Sequence, residues 1–322
     1  MMPIMVDRIR VRVERVSLVA DSVREFVLQP LSTSSLRAWR AGAHIRVHAR
    51  TMNGCNAERS YSLVGRPSDG GCCVIAVHRV HDLGVAAYLH DHVHPGDELE
   101  ISQPLNDFAL HDGPQRAVLI AGGIGITPLL PMALAQMAAG RLFELHYAGR
   151  SQSSMAYKTE VRALGQDSTH LYPSDSGRRL DIAELATRWR ADDHVYVCGP
   201  RRMIEQVRDV AAAAGLMAMR VHFESFGVGT AAANRGFAVE LRRSRRTVSV
   251  SAAQTILQAA EDAGIYADAN CKRGECGVCA VRFVEGEVDH RDVCLSHTDR
   301  AITRLMTPCV SRALGPRLVL EM

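Results

Sequence analysis

No apolar run in the chain approaches the length of a membrane span, so nothing in it reads as a transmembrane helix. The first residues, Met1 to Arg10, hold no signal-peptide core. Charge of either sign is not in excess: 38 Lys and Arg against 35 Asp and Glu leave a formal net charge of +3. That balance argues against nucleic acid as a partner. The one basic run, Arg242-Arg243-Ser244-Arg245-Arg246, reads as a solvated strand or hairpin edge. Together these absences predict a cytoplasmic protein with neither a membrane nor a nucleic-acid partner. What is present is enough chain, 322 residues, for two or three domains, and enough apolar content, 47%, for several cores.

The most informative stretch is Cys271-Lys272-Arg273-Gly274-Glu275-Cys276-Gly277-Val278-Cys279, answered by Cys309. Four residues separate the first two cysteines and two separate the next pair, which is the plant-type spacing for a [2Fe–2S] cluster. Two irons need four thiolates, so a short loop wraps most of the cluster and a remote segment closes it. Gly274 and Gly277 let the backbone turn sharply and approach closely. A structural zinc remains open on four cysteines, although zinc sites favour two short knuckles. A disulfide scaffold belongs to small secreted chains. Of nine cysteines, Cys55, Cys72, Cys73 and Cys294 read as ordinary thiols. Cys294 competes as fourth ligand, but Cys309 is favoured by its long excursion and strand-like surroundings.

From Ile9 to about Leu110 the sequence alternates in short strands broken by Gly and Pro, which predicts an antiparallel barrel. Strands are expected at Val23–Leu28, His44–Ala49, Ser60–Val64, Val74–Val80 and Glu98–Ser102. Arg59-Ser60-Tyr61-Ser62 places a cation and a phenol on one strand face. That pair suits a flavin, the guanidinium on phosphate and the phenol along the ring, with Ser62 offering a hydroxyl to the redox edge. Ordinary cross-strand packing would use the same residues.

Ala117–Ala121 is a continuous apolar run, as in a buried parallel strand. It enters Gly122-Gly123-Ile124-Gly125-Ile126-Thr127-Pro128, where glycines permit close approach of a pyrophosphate. Thr127 is the expected N-cap and Pro128 the first helical residue. Strands at Phe143–Tyr147, His194–Val197 and Met219–Glu224 alternate with helices, one capped by Asp181 and running to about Arg190. This is an α/β parallel-sheet nucleotide domain. Cys198-Gly199-Pro200 ends a strand where such domains bind ligands, though Cys198 would serve equally as a small buried hydrophobe.

Gly227–Gly236 reads as a linker. Beyond it come strands at Phe237–Leu241 and Thr247–Val250, a helix capped by Ser251 and Gln254 and ended at Gly264, the cysteine loop, and a strand at Ala280–Val284. This is the layout of a small β-grasp domain. The expected divisions are 1–112, 113–228 and 229–322.

The ordered set Arg59-Ser60-Tyr61-Ser62, Pro104-Leu105-Asn106-Asp107-Phe108, Gly122–Pro128, Cys198-Gly199-Pro200, His222-Phe223-Glu224-Ser225-Phe226 and the C-terminal cysteines resembles the phthalate dioxygenase reductase family, which includes vanillate demethylase reductases. The resemblance covers nearly the whole chain. It implies a flavin barrel, an NAD domain and a C-terminal ferredoxin domain. Electrons would pass from NADH through FMN and a [2Fe–2S] cluster to a separate Rieske-type oxygenase. A flavin converts two-electron donation by a nicotinamide into the single electrons a cluster accepts.

By that resemblance Arg59, Ser60, Tyr61 and Ser62 bind flavin, Ala76, Val77 and His78 flank it, and Gly84 opens its phosphate turn. Gly123, Gly125, Thr127, Pro128 and Gly199 serve the nicotinamide nucleotide, Cys198 sits near its ring, and Phe226 near the flavin face. Cys198, Thr127 and Ser62 are the candidate catalytic residues. Two departures stand out. The family's serine is missing from Gly84-Val85-Ala86-Ala87-Tyr88-Leu89-His90, which shifts phosphate binding to backbone amides, Arg59, and Arg79 or His81, and weakens the expectation of FMN over FAD. No acid directly follows Phe143–Tyr147; Arg150 and Ser151 stand there, an arrangement that tolerates NADPH beside the expected NADH. Two other functions compete: a redox-sensing iron–sulfur module, and a stand-alone flavin or ferric reductase.

Overall fold

A computed structural model describes residues 8–31, 35–50, 56–65, 71–79, 84–226, 234–295 and 297–322. Cys55, His81 and most of the expected linker, 227–233, lie outside the described residues. The chain divides into two compact units, Met1–Glu224 and Ser225–Met322. Among the described residues no helix is long and apolar enough to cross a membrane.

The first unit opens with β1 (Arg8–Ala20), β2 (Val23–Pro30), β3 (His44–Arg50), β4 (Asn56–Ser62), β5 (Cys73–His78), α1 (Val85–His92) and β6 (Glu98–Ser102). The six strands form one antiparallel sheet in the order β4-β3-β6-β1-β2-β5. Just after β4 the chain bridges to β5 through Leu63 and Ile75, and the Val64 amide donates to the Val74 carbonyl at 2.8 Å. That contact closes the sheet into the expected barrel and removes its open edges. Strict alternation along Ile9, Val11 and Val13 buries one face of β1. Phe26, Leu28, Ile45, Leu63, Ile75 and Ile101 fill the interior.

The same unit continues with β7 (Ala117–Gly122), α2 (Ile126–Ala138), β8 (Phe143–Gly149), α3 (Lys158–Ala163), β9 (Thr169–Pro173), α4 (Ile182–Ala186), β10 (His194–Cys198), α5 (Arg201–Ala213) and β11 (Val221–Glu224). All five strands are parallel, in the order β11-β10-β7-β8-β9. Every residue of β7 is buried, as a central parallel strand requires. Barrel and parallel sheet share hydrogen bonds: Tyr157 donates its hydroxyl to Glu25 Oε2 at 3.0 Å, and Ser153 Oγ donates to Asp21 Oδ2 at 2.5 Å.

Two helix starts and ends differ from expectation here. The helix begins at Ile126 behind a 3-10 turn at Gly123–Gly125, so Thr127 is not the N-cap; its hydroxyl instead donates to the Ile124 carbonyl at 3.0 Å. Asp181 does cap α4, accepting from the amides of Ala183 and Glu184. That helix, however, ends at Ala186 rather than near Arg190. The following amides, Arg188 and Trp189, bond only three residues back, and Asp193 takes the Arg190 amide. Residues 218–220 form a 3-10 turn before β11 instead of belonging to the strand.

The second unit comprises β12 (Phe237–Leu241), β13 (Arg246–Val250), α6 (Ile256–Asp262), β14 (Val281–Glu285), β15 (Val288–Asp289), α7 (His297–Ala301), β16 (Leu305–Met306), β17 (Arg312–Ala313) and β18 (Arg317–Leu320). Its main sheet runs β13-β12-β18-β14-β16, with β12 and β18 parallel and the remaining pairs antiparallel. The helix α6 packs its buried residues Ile256, Ala259 and Ala260 on that sheet, which is the β-grasp arrangement. The capping box is Thr255 with Gln258, not Ser251 with Gln254. Residues 251–254 form a turn instead, and the Arg312 guanidinium ties it down through the carbonyls of Ser251 and Gln254. Cys309 lies in a turn between β16 and β17, not within a strand.

Candidate redox centres

Inside the first unit, the ends of β4, β10 and β11 converge. Cys198 and Glu224 are register partners at the carboxyl ends of neighbouring parallel strands. Ser62, the last residue of β4, donates its hydroxyl to Glu224 Oε2 at 3.4 Å. All three are buried. Tyr61, one residue earlier, is buried too, and its phenolic oxygen has no hydrogen-bond partner among the described residues. Burial pushes that phenol above its ordinary pKa, with the Arg59 guanidinium acting in the opposite sense. Arg59 is exposed and Ser60 half-buried. An orphaned hydroxyl inside a barrel rim is the kind of group a planar polar ring satisfies.

Beside them β5 carries buried Ala76 and Val77 and an exposed His78. Although His78 is exposed, partial desolvation of its ring, with Arg150 nearby, lowers its pKa. The Val77 carbonyl takes His90 Nε2 of α1 at 2.8 Å, which fixes that helix against the strand. Gly84 precedes α1 at φ 95°, a left-handed conformation that suits glycine. Arg79 is engaged by Asp91, so it is not an idle cation awaiting a phosphate.

The glycine turn after β7 owes its composition to crowding. A Cβ on Gly125 would lie 2.0 Å from the Cys198 carbonyl oxygen. A Cβ on Gly199 would lie 3.0 Å from the Gly122 backbone. The turn at Gly123–Gly125 therefore lies directly on the turn at Cys198–Pro200. Thr127 and Pro128 are buried in the first turn of α2. Past β8, the carbonyl of Arg150 accepts from the Asp175 amide at 3.0 Å, and Asp175 Oδ2 accepts from the Gln152 amide at 3.4 Å.

In the second unit the four cysteines come together as two pairs. Cys271 and Cys276 are joined by the Cys276 amide, which donates to the Cys271 sulfur at 3.4 Å. Cys279 and Cys309 lie with sulfurs 3.2 Å apart, too far for a disulfide. Their hydrogen bond, working against burial, brings the Cys279 thiol down to about 7. The Cys271 sulfur accepts from the amides of Arg273, Glu275 and Cys276 at 3.4, 3.5 and 3.4 Å. Lys272, Gly274 and Gly277 all have φ between 52° and 74° and make the loop wrap. Cys294 is a near neighbour, its sulfur 3.7 Å from where a Gly277 Cβ would be, and burial pushes its thiol up to about 12.

Three sequence profiles match the chain in series: an oxidoreductase FAD-binding domain over residues 10–110, an oxidoreductase NAD-binding domain over 119–209, and a 2Fe-2S iron-sulfur cluster binding domain over 239–314. The heme-dependent oxidative N-demethylase beta subunit of Ectopseudomonas mendocina (strain ymp) is 39% identical over 316 residues, 97% of this chain and 98% of the relative. The solved structure of phthalate dioxygenase reductase superposes with a TM-score of 0.75 at 31% identity and covers 98% of both chains. The chain belongs to the phthalate dioxygenase reductase family. An intact type IV self-sufficient cytochrome P450 monooxygenase also matches, with a TM-score of 0.69 and 36% identity; it covers 98% of this chain, which spans only 41% of that longer protein.

Membership makes the chain an oxidoreductase with flavin-, NAD- and [2Fe–2S]-binding domains. The zinc, disulfide and sensor readings give way to it. The donor set fits the cluster: two thiol pairs offer two terminal ligands to each of two irons, and backbone amides already aim at a ligand sulfur. Two residues near the expected sites were not singled out from the sequence. Glu224 was part of a quoted motif, but only its register beside Cys198 and its contact with Ser62 give it a place. Asp175 follows β9, one strand beyond the Phe143–Tyr147 strand after which the sequence shows no acid. Phe226 is the second residue of the second unit and is half-buried.

Proposed function

We propose that the chain draws electrons from NADH onto FMN and delivers them singly, through a [2Fe–2S] cluster, to a separate oxygenase of the Rieske type. Bound flavin supplies the conversion between paired and single electrons. The observation that carries the reading is the meeting of Ser62 with Glu224 beside Cys198. It puts the flavin-facing strand and the nucleotide-facing strands against one buried spot.

In this reading Arg59 and the amides at Gly84 hold the flavin phosphate, Tyr61 lies along the ring, and Ser62 holds a hydrogen bond at its redox edge. Ala76, Val77 and His78 flank it, and Phe226 covers a face. Gly123, Gly125, Thr127, Pro128 and Gly199 make room for the dinucleotide, with Cys198 beside the nicotinamide. Glu224 keeps the Ser62 hydroxyl oriented in a spot closed to water. Asp175, tied to the chain at Arg150 and Gln152, supplies an acceptor for a ribose hydroxyl, which favours NADH over NADPH. Cys271, Cys276, Cys279 and Cys309 hold the cluster. The working divisions are 1–112, 113–228 and 229–322, and the setting is cytoplasmic.

Anaerobic titration with NADH tests the reading, followed by visible absorbance, low-temperature EPR and mass determination of the extracted flavin. Flavin bleaching with a rhombic [2Fe–2S] signal and the mass of FMN supports it. Flavin reduction without a cluster signal overturns the proposed exit. A second partner class has its own support, since one relative serves a heme-dependent N-demethylase and a P450 carries a similar region. Faster reduction of a haem oxygenase than of a Rieske oxygenase would move the proposal there.

A further inference from the structure

A second cluster of ligating side chains lies in the parallel sheet, apart from the glycine turn. Glu144 and His146 sit two residues apart on β8 and therefore share a face. His170 is the register partner of His146 on β9. One ligand atom from each of the three lies within 4.8 Å of the others. We propose that Glu144, His146 and His170 bind a divalent transition-metal ion of the zinc, copper or nickel class.

The surrounding contacts are those of a supported ligand set. His146 is fully buried, and its Nδ1 meets the Tyr172 hydroxyl at 3.0 Å. Its other nitrogen, Nε2, faces Glu144 Oε2 at 3.4 Å. A ligating imidazole characteristically has its second nitrogen held by a hydrogen bond, which fixes ring and tautomer. The Glu144 carboxylate is divided in the same way. Oε1 takes Arg116 Nη1 at 2.5 Å, while Oε2 faces His146. Arg116 is itself pinned by Asp193 and the Arg188 carbonyl, so it orients Glu144 from one side only.

His170 is the adjustable member. It stacks on His146 with ring centroids 4.8 Å apart and is half-exposed, which gives an ion its way in. Zinc bonds of about 2.1 Å keep ligand atoms within roughly 4.2 Å of each other, so a small ring rotation of His170 completes the set. Two imidazoles and one carboxylate select borderline metals over calcium or magnesium. The site joins β9, an edge strand of its sheet, to β8. It involves the second residue of each strand, Glu144 and His170, whereas the glycine turn is at the opposite, carboxyl end of the sheet. Its effect is therefore to staple a sheet edge.

The test uses the oxidised, cofactor-loaded protein, in which flavin and cluster give no EPR signal. One equivalent of Cu2+ is added and the spectrum recorded. The expected result is a single copper species with superhyperfine splitting from two nitrogens, displaced only by a large excess of Zn2+, and a melting temperature raised by Zn2+ in the absence of copper. His170→Ala is expected to lose one nitrogen coupling and at least tenfold in affinity, and Glu144→Gln to weaken binding without changing the nitrogen count. Flavin and cluster absorbance check that both variants are folded. Copper bound with equal affinity by wild type and His170→Ala, or no stoichiometric retention after gel filtration, would overturn the assignment.

Discussion

The cysteine loop at 271–279 and the glycine turn at 122–128 both bring backbone close to something the chain must hold, and they do so by different means. In the loop, three residues take left-handed conformations, and the amides so freed converge on the Cys271 sulfur. In the turn only Gly123 has such a conformation, at φ 55°. Gly125 has an ordinary φ of −61° and is glycine because the Cys198 carbonyl occupies the place of a side chain. The loop is defined by the atoms it offers, and the turn by the atoms it lacks. Damage to each should therefore look different.

The sharpest break is chemical. Cys276→Ser is expected to abolish electron delivery to a one-electron protein acceptor and to leave reduction of bound flavin by NADH intact. Stopped-flow flavin reduction beside cytochrome c turnover measures both, and normal cytochrome c turnover would contradict the assignment of the loop as the exit. The next break is steric. Gly125→Ala forces backbone against backbone and should cost about 3–4 kcal/mol. It should weaken NADH binding while leaving the EPR signal of dithionite-reduced cluster unchanged. A variant with wild-type melting temperature and NADH affinity would mean that the turn has slack.

A smaller effect separates the two regions by acidity. His111 stacks on His194 at 4.1 Å, His194 Nδ1 meets His222 Nε2 at 2.9 Å, and His222 stacks on Tyr196. Burial, reinforced by the neighbouring rings, holds both His194 and His222 down to about 4. Folded-state values below 6.5 mean that the unfolded chain takes up protons first as pH falls. The parallel sheet should thus lose stability from about pH 6.5 down towards pH 4. In the second unit, burial would raise the Asp292 carboxyl, but His290, the Leu295 amide and Arg300 bring it down to about 2. Its contribution persists until the pH drops below 3.8. Melting curves at pH 7.5 and 5.5, read separately through NADH affinity and through hydrogen exchange at residues 290–311, should show the sheet weakened by several degrees and the second unit little changed. Equal losses in both would erase the distinction.

The contrast also explains what could be read in advance. Cysteine spacing and strand alternation are local, so the loop, the barrel strands and the run Ala117–Ala121 were legible. Cys309 was not legible as a turn residue, because its conformation comes from packing between two-residue strands. The true capping box at Thr255 lost out to an equally plausible pair at Ser251, since contacts from afar hold the 251–254 turn: Arg312, 58 residues from Gln254, Asn234 at the Ala252 carbonyl and Asp262 at the Gln254 side-chain amide. Glu224 and Asp175 were hidden for a related reason: Glu224 gains its place from Cys198 on the neighbouring strand, and Asp175 is held by the backbone just past the end of β8. The Glu144, His146 and His170 set is scattered over 27 positions of sequence and shows no motif spacing.

The bonds from Tyr157 to Glu25 and from Ser153 to Asp21 have a consequence for how the first unit comes apart. Each joins the closed barrel to the parallel sheet, and Ser62 with Glu224 makes a third tie. Of the three, the Ser62–Glu224 contact is buried, so parting the layers there would strand polar groups, whereas Ser153 and Asp21 are exposed. Barrel and sheet, although built from separate stretches of chain, lie in one compact unit, and a lesion in one is expected to show as lost hydrogen-exchange protection in both.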